Sequence, residues 1–209
     1  MIQSVLCFGD SNTWGYNPED GSRYPSDIRW TGVLQRLMGP GFHVIEEGLN
    51  GRTTTINEIE RPMRSGAEIL PVLIESHRPL DFIILMLGTN DLKTHFNRSA
   101  TQIAEDISYL CTLIEEHPML EERPPRLILA EPTGADTSSN ALPEWFENTQ
   151  EKWTELKMLL PRIAEKHQAL YIPTHTIIQS NFSDSLHWSP LQHELFAQTA
   201  NKLIKEALF

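Results

Sequence analysis

Short apolar runs alternate with longer amphipathic segments along this chain, and that alternation limits what it can fold into. The runs lie at 5–8, 44–45, 82–87, 127–130 and 170–172, each too short for a helix. Each is followed by a stretch of helical period, at roughly 30–38, 67–77, 99–117, 149–167 and 190–208. Two helix starts are well marked. Ser99 with Gln102 forms one capping box; Ser189 with Gln192 forms another, with Pro190 at the first helical position. In the last segment Leu195, Phe196, Ala200, Leu203, Ile204 and Ala207 make one apolar face. Five strands alternating with five helices imply βαβ units and a parallel sheet. The strands read as continuous apolar runs, as strands covered on both faces do. The expectation is a three-layer α/β/α sandwich around a five-stranded parallel sheet.

A length of 209 residues suits one domain, taken as 1–209. No repeat, low-complexity tract or linker interrupts it. The Pro/Thr/Ser-rich stretch 132–148 lies between a strand and a helix of one sheet and reads as a long loop, able to line a pocket, form an interface or pack on its own domain. Lysine and arginine number 17 against 28 acidic residues, a net charge of −11 with no basic cluster. Nucleic acid and anionic membranes need a positive surface, so neither is an expected partner. The longest apolar run, 82–87, is far too short to span a bilayer. The N-terminus has no basic region or cleavage-type site and runs directly into the first strand. Cys7 and Cys111 each sit in an apolar stretch and read as buried free thiols. Together these features predict a cytoplasmic protein.

In open parallel sheets of this kind, ligands bind beyond the carboxyl ends of the strands. Five segments meet there: Gly9-Asp10-Ser11-Asn12-Thr13-Trp14-Gly15, Gly48-Leu49-Asn50-Gly51-Arg52-Thr53-Thr54, Gly88-Thr89-Asn90-Asp91, Glu131-Pro132-Thr133-Gly134 and Asp184-Ser185-Leu186-His187. Each residue has an ordinary reading by itself: Ser11 as a cap, Asn90 and Asp91 as turn residues, His187 and Asp184 as loop side chains. Collected on one edge, they are the parts of a nucleophile, a base with its orienting acid, and an oxyanion hole. The Asp-x-x-His spacing lets the Asp184 carboxylate reach Nδ1 of His187 and leaves Nε2 to face Ser11.

The pattern resembles the GDSL, or SGNH, hydrolases. Their signature Ser, Gly, Asn and His map onto Ser11, Gly51, Asn90 and His187, with Asp184 as the acid. The resemblance runs from Leu6 to the final helix. The stretches Leu6–Ser11, Glu46–Leu49 with Arg52-Thr53-Thr54, and Met86–Asp91 look most like the bacterial arylesterase and acyltransferase branch. It implies a flavodoxin-like SGNH hydrolase fold, no cofactor and no metal. It also implies a small-molecule ester as substrate, short acyl groups, and homo-oligomers in which a neighbour helps close the pocket. Gly51 precedes Arg-Thr-Thr as the family glycine precedes a similar polar pair, so it is chosen for the oxyanion hole with the Ser11 N–H and the Asn90 amide. Gly48 is read as permitting the turn out of the second strand. Two positions depart from the pattern. Asn12 stands where the motif has leucine, which puts a polar amide in or beside the acyl pocket. Ser185 stands where relatives often have glycine, and is expected to be tolerated. Asp10, Asn12, Trp14, Trp145, Phe146 and Trp188, with Tyr16, are the candidate pocket residues.

The predicted function is a serine esterase acting on short acyl esters through an acyl-enzyme, with acyl transfer to another alcohol as an extension. A carbohydrate O-deacetylase would use the same residues. A flavodoxin-like binding protein is the rival of another class; Asp10 would repel its phosphate, and it leaves Asp184 and His187 unexplained. The sequence has no Gly-x-Ser-x-Gly elbow, no Walker loop and no Gly-x-Gly-x-x-Gly. His193-Glu194 is followed by Ala197 where a zinc protease helix needs histidine.

Overall fold

The computed structural model describes residues 2–58, 60–136, 141–178 and 183–208. All five apolar runs are strands: β1 (Gln3–Gly9), β2 (Phe42–Gly48), β3 (Phe82–Met86), β4 (Arg126–Ala130) and β5 (Leu170–Ile172). They form one parallel sheet in the order β2-β1-β3-β4-β5. The 44–45 run is only the middle of β2. That strand lies at the sheet edge, so its flanking His43, Glu46 and Glu47 need not be apolar. Arg29 holds the Glu46 carboxylate there through two nitrogens.

The helices are α1 (Ser11–Trp14), α2 (Trp30–Met38), α3 (Gly66–His77), α4 (Ala100–Glu115), α5 (Gln150–Lys166) and α6 (Pro190–Ala207). Alternate strand residues face opposite ways and build two cores. Val5, Cys7, Ile84 and Ile128 pack with Trp30 and Leu34 of α2 and Phe196 and Ala200 of α6. Leu6, Phe8, Ile83 and Leu129 pack with α3, α4 and α5 through Leu70, Ile107 and Leu156. Cys7 and Cys111 are free, buried, and in different cores. Both expected capping boxes are present, with Ser99 N donating to Gln102 Oε1 at 3.0 Å and Ser189 N to Gln192 Oε1 at 2.7 Å. The expected face of α6 shifts slightly: Leu195 is exposed, while His193 and Ala197 join the core. No helix among the described residues is long and apolar enough to cross a membrane.

β1, β2 and β3 end level, with Gly9 opposite both Gly48 and Met86. Their following loops therefore leave the sheet side by side. Gly48 is needed there for close approach, not for a turn. A Cβ on it would lie 2.1 Å from the Trp14 nitrogen and 2.5 Å from the Thr13 carbonyl carbon, both backbone atoms of α1. Gly48→Ala should therefore destabilise the protein by about 1–3 kcal/mol, read as a lower urea midpoint at unchanged m.

Candidate active site

The chain reverses from β1 into α1 within two residues. Gly9 makes this possible, since a Cβ would strike Thr13 Oγ1 at 2.1 Å and the Met86 carbonyl at 2.9 Å. Asp10 caps α1, its Oδ1 accepting the Asn12 N–H at 3.0 Å. Ser11 thus opens the helix, where the first backbone N–H groups have no helical acceptor. After β2, Arg52 N donates to Leu49 O at 3.0 Å and Gly51 sits at φ +81°. Positive φ at the third position is what a type II turn demands. After β3, Asn90 opens a 3-10 turn (Asn90–Leu92), and one amide N–H is held by the Arg52 carbonyl at 3.0 Å. The amide has a second N–H to offer.

The last segment arrives between β5 and α6. His187 Nε2 lies 2.8 Å from Ser11 Oγ, and its Nδ1 lies 2.5 Å from Asp184 Oδ2. The other oxygen, Oδ1, accepts the backbone N–H groups of Leu186 at 3.1 Å and His187 at 2.8 Å. Burial pushes the Asp184 carboxyl up. The hydrogen bond and charge of His187, with the two backbone N–H groups, outweigh that and hold it below the usual aspartate value. The Tyr16 ring packs on the imidazole, centroids 4.2 Å apart at 36°. Ser11 is 7% exposed, so the cluster is shielded yet reachable.

Two buried groups bind these loops together. The Arg52 guanidinium donates to the Gly9 carbonyl at 2.9 Å and to the Glu47 carbonyl, and stacks over Phe8 at 4.3 Å. Burial lowers it to about 10. Asp91 accepts from Thr54 N at 3.1 Å and Thr54 Oγ1 at 2.6 Å, and burial raises it to about 6. The arrangement offers a serine beside an imidazole, an imidazole beside a carboxylate, and N–H donors from three adjacent loops. That is the equipment of acyl transfer.

The chain matches the model of the GDSL-like lipase/acylhydrolase family over residues 7–195. It belongs to that family. Solved structures agree. An aryl esterase of M. smegmatis in its inhibitor-bound form is 32% identical, with TM-score 0.90 over 98% of this chain and 99% of that one. A carbohydrate acetylesterase from Sinorhizobium meliloti is also 32% identical, with TM-score 0.90 over 99% of this chain and 100% of that one. A lipase/acylhydrolase from Enterococcus faecalis, 23% identical with TM-score 0.72 over 99% and 97% of the two chains, shares the fold. No curated protein sequence is significantly similar. The family and these neighbours make the chain a carboxylic ester hydrolase.

Four of the expected pocket residues of this GDSL-like hydrolase, Asp10, Asn12, Phe146 and Trp188, are buried. Trp188 is fully buried in the α2–α6 core, its Nε1 donating to Thr133 Oγ1 at 2.9 Å. Phe146 belongs to the opposite core, because its 3-10 turn (Glu144–Phe146) folds the loop back on the domain. Asp10 is a cap, and burial pushes its carboxyl up to about 6 against the lowering pull of the Asn12 N–H and of His187. Asn12 is also buried; its amide bonds the backbone of Leu186 and Trp188 and does not enter a pocket. Trp14 is half-buried against Tyr16, with the Arg23 guanidinium over its ring. Trp145 lines a cavity of about 590 Å³, with Asn57, Glu58, Arg61, Lys93 and Phe96 among its walls. Loop residues 137–140 lie outside the described residues. Glu131, after β4, joins a separate group, accepting from Tyr171 Oη at 2.9 Å and lying 2.9 Å from His175 Nδ1. Among the described residues no group of three or more His, Cys, Asp or Glu is placed to hold a metal ion.

Proposed function

We propose that this chain is one SGNH domain, a serine esterase that cleaves short, acetyl-type esters through a Ser11 acyl-enzyme. The observation that carries this is the unbroken relay from Ser11 Oγ through both nitrogens of His187 to Asp184, at 2.8 and 2.5 Å. His187 Nε2 accepts the Ser11 proton as Oγ attacks the ester carbonyl. The resulting oxyanion is met by the N–H groups of Ser11 and Gly51 and by the free N–H of the Asn90 amide. His187 then returns its proton to the departing alcohol, and water or a second alcohol releases the acyl group. Asp184 stays ionised throughout and fixes the tautomer.

Two hollows flank this centre. One, of about 400 Å³, is lined by His187 with Asn17, Tyr24 and Ser189. The other is the cavity with Trp145. Arg61 of its wall bonds the Asn50 carbonyl at 2.8 Å, beside Gly51, and Lys93 closes the turn begun by Asn90. Aromatic rings beside Glu58, Lys93 and Asn57 also suit a sugar ester. Carbohydrate O-deacetylation is therefore the second reading, consistent with the S. meliloti relative.

Fluorophosphonate labelling, mapped by peptide mass, tests the nucleophile. One adduct on Ser11, lost in His187→Ala, supports the esterase; no adduct where a control esterase labels overturns it. Comparing acetylated sugars with p-nitrophenyl acetate then separates the two substrate readings. Asn90→Ala removes one oxyanion donor and should lower kcat by about 10²–10³ with little change in KM. Steady-state kinetics on p-nitrophenyl acetate check this.

A further inference from the structure

Asn12 follows the nucleophile directly, yet its side chain reaches to the other half of the site. Nδ2 donates to the Leu186 carbonyl at 3.4 Å, and Oδ1 accepts the Trp188 N–H at 3.1 Å. Those are the residues on either side of His187. One buried amide beside Ser11 therefore grips the backbone before and after the base. The separation of Oγ and Nε2 is then set locally, not through the width of the sheet.

The loop being gripped is under backbone strain. Ser185 is fully buried at φ +71°, in the left-handed region that a residue with a Cβ disfavours. Its Oγ has no hydrogen-bond partner among the described residues, so the hydroxyl does not offset that strain. Its carbonyl accepts the Asp136 N–H at 2.7 Å, which anchors one end of the loop. The amide of Asn12 anchors the other. Without it, Ser185 can relax toward negative φ, and His187, two residues on, moves with it. Glycine at 185 would take the same φ freely and leave nothing to relax.

We propose that Asn12 is a positioning residue for His187, and that Ser185 is what makes its grip necessary. The two departures from the GDSL pattern are thus one coupled pair. This rests on the esterase reading above.

The test is a double-mutant cycle with kcat and KM on p-nitrophenyl acetate and the fluorophosphonate labelling rate. Asn12→Leu should lower kcat and labelling by about 10- to 100-fold, the scale of a small misplacement, with KM within about threefold. Ser185→Gly should match wild type. The double variant should return to within about threefold of wild type, a coupling that independent sites do not show. Asn12→Ala, which removes both bonds without adding bulk, should behave like Asn12→Leu; it carries the test if the leucine variant does not fold. A double variant as slow as Asn12→Leu overturns the coupling, as does a wild-type rate in Asn12→Ala. Wild-type protein that neither hydrolyses the ester nor labels defeats the esterase reading instead.

Discussion

Ser11→Ala should lower kcat on p-nitrophenyl acetate by at least about a thousandfold and abolish fluorophosphonate labelling. The fold should survive. Ser11 Oγ is engaged with His187, while α1 is held by the Asp10 cap and by Gly15 N donating to Ser11 O at 2.9 Å. None of the backbone bonds needs the hydroxyl. Residual rate above the uncatalysed reaction is expected, because the oxyanion donors at Gly51 and Asn90 remain. Far-UV circular dichroism and active-site titration separate lost chemistry from lost protein. Near-wild-type turnover in this variant would remove Ser11 from the mechanism.

Asp184→Asn should cost about 10³–10⁴ in kcat, for a different reason. The amide oxygen can keep the two backbone N–H groups that Oδ1 now accepts. Its NH₂ would then face His187 Nδ1, which must become an acceptor. Nε2 would carry the proton and could no longer take one from Ser11. The geometry survives and the tautomer is wrong. A stability signature accompanies the kinetic one. The Asp184 carboxyl is held below its ordinary value in the folded protein. Its contribution is therefore fully present above the ordinary aspartate value and is lost only as pH falls through the lower folded value. The stability gap between wild type and Asp184→Asn should stay flat from about pH 8 to pH 5 and close only in more acidic solution. Urea titrations across that range check it. A gap that closes near neutrality would mean that Asp184 is not held ionised by His187 and the two backbone N–H groups.

The sheet was legible because strands covered on both faces must be apolar, so 5–8 and 82–87 announce themselves. The edge strand β2 was half hidden, since Glu46 can sit in it with Arg29 as partner. The residues at the sheet edge were legible because chain order and strand order together place them there. The pocket was not. An aromatic residue next to a motif serves equally as rim or core, and Trp188 and Phe146 went to the core. For Trp188 a signal existed. It precedes the Ser189 cap, and its ring meets that of His193 in the first turn of α6, 5.5 Å between centroids. That is the position of a hydrophobic staple. Arg52 gave less warning: nothing in its sequence setting distinguishes a buried clamp for three loops from a surface charge. Asn12 was read as a pocket residue because a polar amide beside a nucleophile suggests contact with substrate. Its partners, 174 and 176 residues away, are known only once the chain is folded.

The bond from Ser11 to His187 joins positions 176 residues apart. The reactivity of Ser11 is therefore a gauge of whether the far end of the chain is docked. Segments held by a few loop contacts open more readily than a sheet buried on both faces. In rising urea the labelling rate at Ser11 should fall before the far-UV circular dichroism of the sheet and helices changes. One covalent reagent would then report detachment of the 183–187 segment while the rest of the molecule still reads as native.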